Sequence, residues 1–162
     1  MHNQTVLTQL DDCSGELEKL KQIIEVFGQS HSIVPFLTNY AIIKCCGTIE
    51  NCFKIIISDF HNTLPTQAKN YIESTFLYSS MNPSKQNICK SLKKFDVNWN
   101  NDFKSRLSNE ADVDRIESSL SSLNDARNAF AHGGNPAISF ASVVTYFTDS
   151  RKIIEILDEV VR

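Results

Sequence analysis

Apolar residues recur along this chain at intervals of three and four, the period of one face of an α-helix. Leu17, Leu20, Ile24 and Phe27 predict a first helix from about Ser14 to Phe27, with Gly28 placed to end it. After a turn over Ser30 to Pro35, a longer helix carries Ile42, Cys46, Ile49, Phe53, Ile56 and Phe60 on one stripe, with further apolar residues beside it. That excess predicts burial on several sides. Pro65 suits the first turn of a third helix, in which Tyr71, Phe76 and Leu77 are placed to pack before Asn82-Pro83 stops it. A fourth begins near Ser84 and carries Ile88, Leu92 and Phe95. Asp96 to Asn101 reads as a loop, followed by a short helix through Phe103 and Leu107. From Ala111 to Ala131 the positions Val113, Ile116, Leu120, Leu123 and Phe130 repeat in threes and fours, and Gly133-Gly134 supplies a helix terminus. Ser139 is a candidate N-cap for a last helix with Phe140, Val143, Phe147, Ile154, Leu157 and Val161 on its inner face.

Length and composition fit this helical reading. A chain of 162 residues, 41% hydrophobic and 22% charged, suits one globular domain over residues 1–162 with no splitting linker or repeat. Five Gly and four Pro are too few for the turns of a sandwich or barrel, so the expected class is all-α. The net charge of −3 and the pI of about 5.8 give no global reason to bind nucleic acid or an anionic membrane. Any such partner must be met by a local patch. The richest apolar stretch, Ala41 to Phe60, is interrupted by Lys44, Glu50, Lys54 and Asp59 and is too polar for a membrane span. The five cysteines, Cys13, Cys45, Cys46, Cys52 and Cys89, show no CxxC or Cys/His ligand spacing and predict small buried side chains in a reduced, cytoplasmic protein. No metal or other cofactor is expected. The first residues, Met1 to Thr5, lack the basic start and apolar run of a signal peptide.

One residue breaks the pattern. The position that follows Leu123 on the stripe is Arg127. A guanidinium there must be paired, reach outward, or face a ligand or partner, because burying it alone is costly. Asn128 and His132 lie four apart on one helix face beside it. The C-terminal end of a helix favours a protonated imidazole, and the glycines after His132 clear the approach for a bulky substrate.

The run Asp125-Ala126-Arg127-Asn128-Ala129-Phe130-Ala131-His132-Gly133-Gly134 resembles the R-x4-H motif of the HEPN superfamily, most closely its RiboL-PSP type. The setting is similar too: the end of a long helix, a glycine turn, and a closing helix from Phe140 to Val161. The Gly47-Thr48-Ile49-Glu50 phrase adds to the likeness, which covers the chain from Pro35 onward and takes in residues 1–34 only as an amphipathic helix and turn. The resemblance implies a homodimeric all-α bundle of about five to seven helices, with two motifs across one cleft. It also implies metal-independent endoribonuclease activity in which the substrate's 2′-hydroxyl attacks the adjacent phosphate, leaving 2′,3′-cyclic phosphate ends. His132 would act as acid-base residue, Arg127 would stabilise the transition state, and Asn128 would orient the histidine or the phosphate. The biological roles implied are a toxin or anti-phage effector, with an antitoxin or regulatory protein as a further partner. Members silenced by a nucleotidyltransferase carry a tyrosine two residues after the histidine, where this chain has Gly134. The alternative function is a non-catalytic dimerisation module that binds RNA or nucleotide.

Two accessory candidates accompany the motif. Glu50 either pairs with Arg127 or faces solvent beside Lys54 at four-residue spacing, and Asp125, one heptad before His132, either tunes the histidine or lies on a solvated face. For RNA contact, Lys85, Lys90, Lys93, Lys94, Lys104 and Arg106 face only Asp96 and Asp102 between Met81 and Arg106, with Phe95, Trp99 and Phe103 interleaved. Lys90, Lys93, Lys94, Trp99, Lys104 and Arg106 are therefore candidate RNA-binding residues, since cations with exposed aromatics grip single strands. The other reading makes the aromatics core and the lysines a solvated face. His2, His31 and His61 have no partner motif.

Overall fold

The computed structural model describes residues 1–162, which form seven α-helices and no strand. The first, α1 (Gln4–Phe27), starts ten residues earlier than the leucine pattern suggests, because Val6, Leu10 and Cys13 continue the same buried stripe. Asn3 caps it, its Oδ1 accepting from the Val6 N–H at 3.1 Å, and Gly28, at φ +86°, closes it with an N–H to the Ile24 carbonyl at 2.8 Å. α2 (Val34–Phe60) is buried on several sides as expected and packs against α1, α6 (Val113–Ala131) and α7 (Phe140–Val160). Ser139 caps α7, its Oγ accepting from the Ser142 N–H at 3.0 Å. Buried Asp158 on α7 accepts from the backbone of His2 and Asn3, and Arg151 binds Asp11 at 2.8 Å, which fastens α1 to α7.

α3 (Thr66–Ile72) runs into a π turn over Glu73–Leu77. The wider turn accompanies insertion of Phe76 between Phe53 and Phe95, with ring centroids 5.9 and 5.1 Å away, whereas Tyr71 is exposed rather than packed. Ser84 caps α4 (Lys85–Phe95), and Asp96 both ends α4 and caps α5 (Val97–Ser108), accepting from the Asn98 N–H at 2.6 Å. Asp96 to Asn101 is therefore mostly helix and not a loop. Burial of Trp99, Phe103 and Leu107, each four residues apart, outweighs the low helix propensity of the asparagines. The buried apolar side chains of all seven α-helices except α3 join in one core, and Phe27, Phe60 and Phe130, which fall on the sequence stripes, sit half-exposed at helix ends.

Four cysteines, Cys13, Cys45, Cys46 and Cys52, are buried in this core, Cys89 is half-buried, and all five are free thiols. Burial pushes the Cys46 and Cys52 thiols up to about 12, so both remain protonated and inert near neutrality.

His61 stacks on Phe95 at 5.2 Å, and its Nε2 is buried without a partner. Desolvation holds its pKa below the usual histidine value. Above pH about 6.5 neither the folded nor the unfolded state carries the proton; below it, the unfolded chain takes a proton that the folded chain refuses. Stability contributed by His61 is thus lost as pH falls through the ordinary value towards the lowered one. Denaturant melts at about pH 7.5 and 5.5 should show a smaller acid loss in His61→Phe than in wild type. An equal loss in both would show that this ring does not carry the effect.

Candidate active site

α6 presents Arg127 and Asn128 in its last turn and ends at His132, whose N–H still reaches the Asn128 carbonyl at 3.1 Å. The exit has two linked bonds: Gly133 N–H to the Phe130 carbonyl at 3.0 Å and Gly134 N–H to the Ala129 carbonyl at 2.8 Å. This is a Schellman closure, and it requires both glycines for different reasons. Gly133 holds φ +79°, while a Cβ on Gly134 would stand 2.9 Å from the Ala129 carbonyl oxygen. Gly134→Ala should therefore destabilise the fold by about 1–3 kcal/mol and shift the amide signals of the last α6 turn. An unchanged denaturation midpoint would rule out this close approach.

Arg127 is half-buried, and no carboxylate lies within ion-pairing distance of it. Its Nη1 donates to the Asn128 Oδ1 at 3.3 Å, and the same oxygen accepts from the Asn82 Nδ2 at 3.3 Å. One amide oxygen thus holds the guanidinium against the loop between the π turn and α4, leaving the Asn128 amide nitrogen without a protein acceptor. His132 is exposed, with no side-chain hydrogen bond or ion pair. The result is a cation, an amide and an imidazole at one helix end, open to solvent and with no carboxylate paired to the cation or the imidazole.

Glu50 does not reach Arg127. It pairs with Lys54 at the four-residue spacing, at 2.6 Å, but from a half-buried position in which it also accepts from the Met81 N–H at 2.8 Å. Lys54, only 3% exposed, donates in addition to the Ser79 carbonyl. The pair clamps residues 79–81 to α2 and so positions Asn82, a residue that the sequence marks only as a helix stop. Asp125 is exposed, with Ser121 as its neighbour at 3.5 Å.

The basic residues divide. Lys90, Lys93 and Lys104 join Lys85 around a groove of about 580 Å³ between α4 and α5, with Cys89 and Asn100 in its lining. Lys90, Lys93 and Lys104 have no ion-pair partner, whereas Lys85 binds Glu117. Lys94 is exposed but outside the groove. Trp99 is 9% exposed and lies edge-on to Phe60 at 4.7 Å, so it is a core residue and not a stacking platform. Arg106 is already engaged by Asp102 at 3.1 Å and Glu159 at 3.0 Å. A second cleft, of about 280 Å³, lies between α4 and α6. It shares Lys85 and Gln86 with the basic groove and reaches Asn82, so a polar path joins the lysines to Asn128.

No three His, Cys, Asp or Glu side chains meet at metal-ligand spacing, and no helix is long and apolar enough to cross a membrane. No curated protein and no solved structure matches the chain. The RiboL-PSP-HEPN family model matches residues 8–162, which takes in most of α1 as well as the stretch from Pro35 onward. A match over nearly the whole chain, carried by an all-helical bundle, establishes that the chain belongs to the RiboL-PSP-HEPN family.

Proposed function

We propose that this protein is a metal-independent endoribonuclease that acts as a homodimer on RNA, and that Arg127, Asn128 and His132 are its catalytic residues. The observation that carries this reading is the half-buried Arg127 guanidinium, held by a neighbouring amide and matched by no carboxylate. A cation left without an anion at an open helix end suits a phosphate.

In the reaction, the 2′-oxygen forms a bond to phosphorus while the bond to the 5′-oxygen breaks. One imidazole takes the 2′-hydroxyl proton, and an imidazolium returns a proton to the departing 5′-oxygen. Two copies of His132 facing one cleft supply both. Arg127 stabilises the charge that gathers on the phosphorane oxygens, and its bond to Asn128 limits the reorganisation needed as that charge develops. The free amide nitrogen of Asn128 donates to a phosphate oxygen. Unpaired Lys90, Lys93 and Lys104 attract the flanking phosphates, and each such contact steepens the salt dependence of binding by about 0.7 in the logarithmic slope. A role as a toxin or anti-phage effector under the control of an antitoxin or regulatory protein belongs to this proposal and is supported only by the family resemblance.

The test is incubation with total RNA in excess EDTA, followed by analysis of the product ends. Cleavage should persist and leave 2′,3′-cyclic phosphates, while DNA, or RNA methylated at the 2′-oxygen of the cleaved nucleotide, should resist. Loss of activity in EDTA, or equal cutting of DNA, contradicts the mechanism.

A further inference from the structure

Asn124 lies on α6, three residues before Arg127 and four before Asn128, and is 3% exposed. Neither its amide oxygen nor its amide nitrogen has a hydrogen-bond partner. Buried amides are almost always satisfied, so one with both groups open is a strong departure. It lines the α4–α6 cleft, and from the same cleft the Oδ1 of Asn82 is also buried and unpartnered, its nitrogen being committed to Asn128. The open set is therefore one amide donor and two amide acceptors, one turn of helix from the motif. The volume of about 280 Å³ lies just below the usual range of ligand sites.

We infer that this cleft is a base pocket beside the scissile phosphate, in which Asn124, assisted by Asn82, reads the exocyclic amine edge of an adenine or a cytosine. The inference rests on the nuclease reading for its placement beside a scissile phosphate. Asparagine pairs with adenine through two parallel bonds, the amide oxygen accepting from the N6 amine and the amide nitrogen donating to N7. The N4 amine and N3 of cytosine present the same pattern in a single strand. The second amine hydrogen then meets the Asn82 Oδ1. Uracil offers the reverse set, two carbonyl oxygens and one N–H, and leaves an acceptor facing an acceptor. The neighbouring nucleotides pass Lys85 and Gln86 into the basic groove, where Lys90, Lys93 and Lys104 take their phosphates.

Fluorescent 2′-O-methyl hexanucleotides of A, G, C and U, which the proposed reaction cannot cut, report binding by anisotropy at one fixed salt concentration. Wild type should bind the A and C series about tenfold more tightly than the U series. Asn124→Leu, which removes the open amide while keeping its shape, should bring the A and C series to the level of the U series and leave the U series unchanged. Asn124→Asp, with acceptors only, checks the same loss should the leucine variant fold poorly. Equal affinity for all four series, a preference for G or U, an A preference that survives both substitutions, or no binding at all overturns the inference. The nuclease reading is judged separately: an Asn124-dependent A preference without cleavage of ordinary RNA sinks that reading and keeps the pocket. Cleavage in EDTA with no base preference does the opposite.

Discussion

His132→Ala and Arg127→Ala should each lower RNA cleavage by about a hundredfold to ten-thousandfold while leaving helical content and thermal midpoint close to wild type. The catalytic magnitude follows from the roles: removing a proton-transfer group or a preorganised cationic donor raises the barrier of the chemical step. The small structural effect follows from the surroundings, since the His132 side chain is exposed and unbonded and Arg127 has no ion pair to lose. Asn128→Ala should cost less in rate, because it removes a positioning oxygen and one phosphate donor and leaves the cation in place. Single-turnover cleavage of a defined RNA, with circular dichroism on each variant, separates the two effects. Wild-type cleavage by His132→Ala would exclude proton transfer by this imidazole, and a collapse of the fold in Arg127→Ala would mean that the guanidinium is structural.

The second large effect is expected at Glu50, through stability rather than chemistry. Glu50→Ala leaves Lys54 as a buried ammonium without its carboxylate and frees the Met81 N–H, and should cost about 3–5 kcal/mol in denaturant unfolding. Replacing both partners, as Glu50→Leu with Lys54→Met, should recover most of that loss, because two apolar side chains carry no desolvation penalty. The double variant still lacks the clamp on residues 79–81. If that clamp positions Asn82 for Asn128, its cleavage should remain below wild type although its stability is regained. A double variant with restored stability and full cleavage would reduce the pair to a structural role, and a loss below about 1 kcal/mol in Glu50→Ala would show that Lys54 finds another partner.

Local pattern carried much of this protein in its sequence. The all-α class, the long buried α2, the start of α4 near Ser84, the cap at Ser139, and the glycine exits after α1 and α6 depend on periodicity and on bonds spanning a few residues, which neighbouring positions specify. The run from Arg127 to His132 was legible for the same reason, since it lies within the last turn of one helix. Contacts between distant residues were decided only when the helices packed. α1 begins at Gln4 because Val6, Leu10 and Cys13 find a core to enter, with Asp158 of α7 fastening the His2 and Asn3 amides just before it, and Asp96 to Asn101 is mostly helical because Trp99 and Phe103 are buried in the same way. The even-looking basic stretch from Lys85 to Arg106 became three unpaired lysines around a groove, a buried tryptophan and an arginine held by two carboxylates. Charge and hydrophobicity state what a side chain needs, but the neighbouring helix determines whether that need is met by protein. Glu50, Asn82 and Asn124 show the same division. Each is an ordinary polar residue along the chain, and packing decides that the first is paired, the second is bonded to Asn128, and the third is left with both amide groups open.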